Sequence, residues 1–161
     1  KKLLFMSLAS VSILLASCTK KEGRVCCGAP DAPSIMAKKN NVVWSGKPEA
    51  LRIGTDSIAI TGTQTEQWLI MKIKFTGKGV YTLKPEQASH ELTVGGDVSV
   101  AQYLADDSAT NTLEIVEYDS NRGIIRGKFN VTLKLHYRYA NGAYPDVVEF
   151  SNGTFTQYLP K

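Results

Sequence analysis

The chain has 161 residues, of which 43% are hydrophobic and 21% are charged. This ordinary globular composition excludes a wholly disordered protein, and the length allows one domain with a single core. The formal net charge is only +4, so nucleic-acid binding, which needs a concentrated basic stripe, is not expected.

The amino-terminal segment has the order of a bacterial export signal. Lys1 and Lys2 form a positive start, and an apolar stretch follows over residues 3–15. This stretch is shorter than the roughly 20 residues that span a bilayer, but it suits the apolar region of a secretory signal. We therefore predict that residues 1–17 are a signal peptide that is removed after export.

A cysteine follows this segment directly. Residues 15–18 read Leu-Ala-Ser-Cys and resemble the lipobox of bacterial lipoproteins, which implies cleavage before Cys18 and diacylation of its thiol. Each buried CH₂ contributes about 0.8 kcal/mol, so two or three acyl chains hold a protein stably on a membrane. Thr19 stands where an Asp would indicate inner-membrane retention by the enterobacterial sorting rule. We therefore expect the membrane as a partner, through a lipid anchor at Cys18, and an outer-membrane location facing either the periplasm or the outside.

Residues 18–34 are predicted to form the acylated start of the mature chain and a flexible tether, because small and polar residues, Gly and Pro dominate them. Cys26 and Cys27 are neighbours in this tether. Adjacent Cα atoms lie about 3.8 Å apart, whereas disulfides usually join Cα atoms about 4.4–6.8 Å apart, so a bond between them would be strained and easily reduced. The two cysteines are a candidate redox pair. The alternative is thiols that pair between chains, stay reduced or have no role.

A period of two dominates residues 35–161, which are predicted to form one folded domain. Residues 68–75 and 128–138 alternate apolar and polar side chains, which places one face of each strand on the core. The expected inward residues are Leu69, Met71, Ile73 and Phe75 in the first segment and Phe129, Val131, Leu133, Leu135 and Tyr137 in the second. Further strands, rich in Val, Ile, Thr and aromatic residues, are expected at 35–39, 42–45, 57–62, 79–83, 91–94, 98–103, 112–118 and 147–158.

Turn-forming residues separate these segments, at 40–41, 77–79, 95–96, 119–123 and 141–142. Asn and Gly tolerate the positive φ that tight hairpins require. Only residues 85–90 and 101–108 are candidates for a helical turn. About ten short strands therefore predict an all-β, antiparallel meander with little helix, which hides its edges by closing into a barrel or by stacking as a two-sheet sandwich.

Several of these segments resemble a family of small Bacteroidetes lipoproteins of unknown function. Residues 35–38, the turn at 40–41 and Val43-Trp44 are similar to that family's opening hairpin, and residues 79–83 are similar to its Gly-x-Tyr-x-Leu strand. Its closing strands resemble residues 112–118, 127–129 and 148–155. The resemblance covers essentially the whole domain and implies a calycin-like, all-β barrel or sandwich with no enzymatic role.

The residues that carry chemistry form no recognisable constellation, so we expect no enzyme, no catalytic residue, no metal and no cofactor. His90 is expected in a polar turn and His136 on the polar face of a strand, both exposed to solvent. Neither Gly-x-Ser-x-Gly nor His-Glu-x-x-His occurs. Carboxylates that could pair for glycoside hydrolysis are expected on the solvated surface: Asp106, Asp107, Glu114, Glu117, Asp119, Asp146 and Glu149.

Two weaker candidates for ligand binding are also present. Asp106, Asp107, Ser108 and Asn111 offer oxygen ligands for Ca²⁺, but without the spacing of a known calcium loop. A basic face that meets an anionic glycan would form if the strands that carry the following residues were neighbours: Lys72, Lys74, Lys128, Lys134 and Arg138. A merely solvated set of lysines is the favoured interpretation.

Aromatic residues are the remaining material for recognition, because they stack on sugars or line apolar pockets. Most of the set Trp44, Trp68, Tyr81, Tyr103 and Tyr144 is expected in the core. Trp68 is the exception, since it is out of phase with Leu69 and Met71. We therefore expect a non-catalytic binding or accessory module with a protein or glycan partner. The alternative is a lipocalin-like carrier of a small apolar ligand, which needs an open internal cavity of several hundred Å³.

Overall fold

The structure is a computed structural model in which residues 32–139 and 142–160 are described. The signal peptide predicted at residues 1–17, the lipidation site Cys18 and the candidate redox pair Cys26 and Cys27 lie outside the described residues. Most of the predicted tether, residues 18–34, lies outside them as well. Its last residue, Ser34, belongs to the first strand.

Ten strands and a single 3₁₀ turn make up the secondary structure of the described part. The 3₁₀ turn is Pro85–Gln87. The strands are β1 (Ser34–Lys39), β2 (Val42–Ile53), β3 (Ser57–Gln64), β4 (Gln67–Lys74), β5 (Gly79–Thr82), β6 (Ala88–Val94), β7 (Val98–Ala105), β8 (Thr112–Asp119), β9 (Ile124–Arg138) and β10 (Val147–Tyr158). The all-β prediction is confirmed. Over these residues, helices with the length and apolarity to span a bilayer do not occur.

All ten strands pair antiparallel in one sheet of order β10-β1-β2-β3-β4-β6-β7-β9-β8-β5. Because β9 also pairs with β10, eight of these strands close into a ring, which we call the strand ring. β9 pairs on its other side with β8 along its first half and with β7 along its second half. The chain therefore departs from a simple meander at β5, which pairs with β8 at the end of the sheet.

The interior of the strand ring is packed with large side chains over the part of the chain that the structure describes. Tyr103, Phe129 and Phe150 are among the largest fully buried residues, and Trp44 packs edge-on against Phe150 with 5.2 Å between ring centroids. The inward phase predicted for β4 is confirmed, because Leu69, Met71 and Ile73 are buried. The alternative of a lipocalin-like carrier would need an open cavity for its apolar ligand in the space that these side chains fill.

One local expectation is wrong. Tyr137 is 47% exposed, because a bulge in the β7–β9 register pairs Leu135 with Tyr103 but Tyr137 with Gln102, which reverses the phase of β9 at this point. Of the two candidates for a helical turn, residues 85–90 contain the 3₁₀ turn, whereas residues 101–105 belong to the strand predicted from residue 98. Strand β7 continues to Ala105, since Ala101, Tyr103 and Ala105 alternate into the core.

The first hairpin turn has the conformation that its sequence predicts. Asn40 and Asn41 have φ of 48° and 65°, the two successive positive values of a type I′ turn. Asn is among the few residues other than Gly that tolerate positive φ, so the Asn40-Asn41 pair was enough to predict this turn. The turn expected at residues 141–142 begins outside the described residues.

Three glycines on the interior lie beneath aromatic rings. A Cβ added to Gly153 would lie 2.5 Å from the ring of Phe129, and one added to Gly62 would lie 2.6 Å from Trp44. At Gly127 an added Cβ would lie 2.5 Å from Phe155. The aromatic rings therefore occupy space that any other residue at these positions would fill.

Candidate functional site

A groove of about 340 Å³ lies on the outer face of β2, β3 and β4, and we call it the Trp68 groove. It is lined by Glu49, Leu51, Thr61, Thr63, Trp68 and Ile70. Cross-strand pairing places Thr61 between Glu49 and Ile70, and Thr63 directly beside Trp68. Adjacent antiparallel strands thus bring six residues that are distant in sequence onto one surface.

Strand alternation explains why Trp68 lies on this surface. Because Leu69 and Met71 enter the core, Trp68 and Ile70 must point outward. Trp68 is 39% exposed, as its phase predicted. Among the other aromatics, Trp44 and Tyr103 are buried, and Tyr81 and Tyr144 pack against the core, which confirms the expectation for most of the set.

Polar groups flank the exposed indole on both sides. Thr63 lies opposite Trp68 on β3, and Glu91 lies opposite it on β6. The Thr61 hydroxyl donates to the backbone carbonyl of Glu49 over 3.1 Å, which leaves the oxygen lone pairs of Thr61 as acceptors. The groove therefore combines one flat aromatic surface with hydroxyl and carboxylate groups at its edges.

His90 is buried, and the expectation of an exposed histidine is wrong. Strand β6 begins at Ala88, so His90 alternates inward with Ala88 and Leu92, and its exposure is 0%. Its Nδ1 lies 3.1 Å from the carbonyl oxygen of Trp68, and its Nε2 lies 3.0 Å from Nζ of Lys39. Burial, reinforced by the positive charge of Lys39, lowers the pKa of His90 to about 3. A neutral imidazole that donates from Nδ1 and accepts at Nε2 fits both partners.

Lys39 is a functional candidate that the sequence analysis missed. Its ammonium group donates to Oε1 of Gln67 over 2.6 Å, and burial lowers the pKa of Lys39. The signal was present in the sequence, because Lys39 shares the inward phase of Ile35 and Ala37 in β1. His136, by contrast, is exposed as expected.

Three of the seven carboxylates weighed for catalysis hold loops and strands in place. The Ser108 backbone N–H and hydroxyl both donate to Asp106, over 2.9 and 2.8 Å, and these bonds hold the pKa of Asp106 below its usual value. Asp119 accepts in the same way from Arg122, which lowers the pKa of Asp119. Glu117 pairs with Arg126.

The oxygen ligands considered for Ca²⁺ also have structural partners. Asn111 is buried, donates from Nδ2 to the carbonyl of Asp106 over 2.7 Å and accepts from the Thr132 N–H over 2.7 Å. Its amide therefore fastens the 106–111 loop to β9. Within the described ranges, clusters of three or more His, Cys, Asp or Glu side chains that could hold a metal ion are absent.

The basic residues do not pool into one face. Lys72 and Lys74 lie on β4, whereas Lys128, Lys134 and Arg138 lie on β9, and β6 and β7 lie between these strands. Lys74 pairs with Asp56 over 3.2 Å. The hypothesis of a basic glycan-binding face formed by these five residues is therefore wrong.

Comparison with known proteins is limited to the family level. Neither the curated proteins nor the solved structures contain a match to this chain. Residues 31–158, which include every strand, match a family described as Domain of unknown function (DUF6252). The chain belongs to the DUF6252 family.

Proposed function

We propose that this DUF6252 protein is a lipoprotein of a bacterial outer membrane, anchored through acylated Cys18, whose β domain binds a glycan at the Trp68 groove without catalysing a reaction. The anchoring part is supported by the order of positive start, apolar stretch and Leu-Ala-Ser-Cys at residues 15–18. It agrees with the resemblance to small Bacteroidetes lipoproteins. The binding part is supported above all by one observation, the exposed indole of Trp68 in a groove with polar edges.

The chemistry of the groove favours a sugar. Sugar rings present a flat C–H face and a rim of hydroxyls, and an aromatic surface with polar neighbours complements both features. Trp68 supplies the surface, while Thr63 and Glu91 flank it across the sheet. Glu49 adds a carboxylate acceptor at the far side of the groove.

The size of the apolar patch favours a glycan over a protein. Stable protein interfaces use about 20–30 residues a side with a hydrophobic centre. The large apolar residues that are exposed on this face are Leu51, Ile53 and Trp68. Such a patch is small for a protein partner and adequate for one or two sugar rings.

A non-catalytic role is supported by what the titratable groups do. His90 is fully buried between Lys39 and the carbonyl of Trp68. Asp106 and Asp119 are engaged by their own loops, at positions away from the Trp68 groove. A general acid and base facing a common substrate would require at least two such groups in one cleft, whereas Glu49 is the one titratable residue among the described residues that line the Trp68 groove.

Mass spectrometry and fractionation test the anchor. We expect native protein to begin at an acylated Cys18, and the Cys18→Ala variant to move from the membrane to the soluble fraction. Cys27→Ala is the matched control and should remain on the membrane. An intact amino terminus with unmodified Cys18 would refute the anchor.

Retention on immobilised polysaccharides, including peptidoglycan and lipopolysaccharide, tests the groove. We expect the purified full chain to bind at least one of them, and Trp68→Ala to weaken binding about tenfold, the equivalent of roughly 1.4 kcal/mol of stacking. Tyr139→Ala, which removes another exposed aromatic residue, should leave binding unchanged. Absence of retention, or equal retention of Trp68→Ala, would refute glycan binding. Trp68-dependent crosslinking to a protein would replace the glycan by a protein partner.

A further inference from the structure

A second concavity lies at one end of the strand ring, where the β1–β2 and β3–β4 hairpins turn. It has a volume of about 190 Å³ and is lined by Lys39, Val42, Val43, Trp44, Gln64 and Gln67. We call it the Lys39 pocket. It shares no lining residue with the Trp68 groove.

The ammonium charge in this pocket has no carboxylate partner among the described residues, although it lies 6.0 Å from the centre of the Phe150 ring. Lys39 points inward from β1, and its two hydrogen-bond partners, Gln67 and His90, are both neutral. Among the residues that the structure describes, carboxylates do not pair with Lys39, and none lines the pocket. A half-buried ammonium group without a counter-ion is costly, because burial removes water that would otherwise solvate the charge.

Hydrogen-bond donors are also in excess. An ammonium group has three N–H bonds, and Gln67 Oε1 and His90 Nε2 accept two of them. Trp44 also lines the pocket, but it is only 3% exposed and its unpaired indole N–H is buried beneath the pocket surface. The side-chain amides of Gln64 and Gln67 add NH₂ groups at the rim. An acceptor that carries negative charge would satisfy both the charge and the spare donors.

The remaining lining of the pocket is aliphatic. Val42 and Val43 are 70% and 80% exposed. A short alkyl group on the ligand would cover them and gain apolar burial. The volume is smaller than the roughly 300–1,000 Å³ of sites for drug-sized ligands, so the ligand must be small or present only one end.

We propose that the Lys39 pocket binds a small organic carboxylate, with its carboxylate on the Lys39 ammonium and its alkyl part against Val42 and Val43. The ligand is either a free acid or the carboxylate end of a larger molecule. This site is independent of the proposed glycan groove, because Trp68 contributes only its backbone carbonyl to the Lys39–His90 cluster.

Nuclear magnetic resonance of the purified full chain tests the proposal. The chain has two tryptophans, so its ¹H–¹⁵N spectrum contains two indole signals, and Trp68→Phe identifies that of Trp44. We expect butyrate to shift the Trp44 signal saturably and butyramide, its neutral analogue, to leave it in place. Glucuronate distinguishes a free small acid from the carboxylate end of a larger molecule. Only a pocket that accepts the end of a larger molecule will show a shift of the Trp44 signal when glucuronate is added.

Two variants make the result specific. Lys39→Met removes the charge and should raise the apparent Kd for butyrate about tenfold or more, the usual loss for a charge-assisted hydrogen bond. Gln64→Leu changes an exposed rim residue and should weaken binding without affecting the fold, which keeps the test valid if Lys39→Met is poorly folded. A Trp44 signal that ignores butyrate, responds equally to butyramide, or responds unchanged in both variants would overturn the proposal.

Discussion

Lowering the pH from 7 to 5 should destabilise the fold through His90. In the unfolded chain a histidine titrates near pKa 6.5, whereas burial beside Lys39 lowers the pKa of His90 to about 3 in the folded state. Between these values the unfolded chain binds one more proton than the folded chain. The stability is therefore complete above about pH 6.5 and is lost progressively as the pH falls towards 3.

The expected magnitude follows from this one proton. Each pH unit well inside the window costs about 1.4 kcal/mol, and integration from pH 7 to pH 5 gives a loss of about 2 kcal/mol. The groups that face His90 keep their state over this range. Lys39 stays charged, and Tyr103, whose pKa is raised chiefly by burial, stays neutral. The pKa values of Asp56, Asp106 and Asp119 are lowered, so these carboxyl groups titrate below pH 5.

Urea unfolding followed by circular dichroism at pH 7, 6 and 5 measures this loss. His90→Gln retains an acceptor for Lys39 but cannot titrate, so we expect its free energy of unfolding to lose most of the pH dependence. His136→Gln changes the exposed histidine and should retain the dependence of the original chain. An unchanged slope in His90→Gln, or an equal reduction in both variants, would refute the assignment to His90.

Three further predictions concern packing, a loop and the tether. Gly153→Ala should lower the free energy of unfolding by about 1–3 kcal/mol, because the new Cβ would meet the Phe129 ring; Ser151→Ala on the same strand is the control in urea titrations. Asn111→Ala should cost about 1–3 kcal/mol, since it leaves the Thr132 N–H without its acceptor and removes one of the two donors to the Asp106 carbonyl, and an effect no larger than that of Ser108→Ala would contradict this role. If Cys26 and Cys27 form a strained redox pair, mild reductant should release two alkylatable thiols from the purified chain, and full alkylation without reductant would exclude the bond.

Local periodicity was sufficient to predict most strands but not all of their lengths. The alternation at β4 and β9 is strong and predicted their inward faces correctly, except at Tyr137, beyond the bulge in the β7–β9 register. Strand β2 was expected to end at residue 45, because Gly46 and Pro48 are weak strand formers. In the structure it runs to Ile53. Gly46 is required there for a tertiary reason, since a Cβ would lie 3.0 Å from Trp44.

Prediction of the candidate sites depends on the same strand boundaries. The outward phase of Trp68 was readable from its neighbours, but Glu49 and Leu51 could not be placed beside it while β2 was thought to end early. His90 was assigned to a turn because the start of β6 was placed three residues too late. The pairing of β5 with β8 is non-local, and alternation carries no information about which strands pair.

The pairing of β1 with β10 joins Ser34 to Thr156 and so sets when folding can finish. Until β10 has been synthesised, the edges of β1 and β9 that will pair with it remain open and can associate with other chains. Such long-range closure makes folding slow, which would give the proposed lipoprotein time to cross a membrane while it is still unfolded.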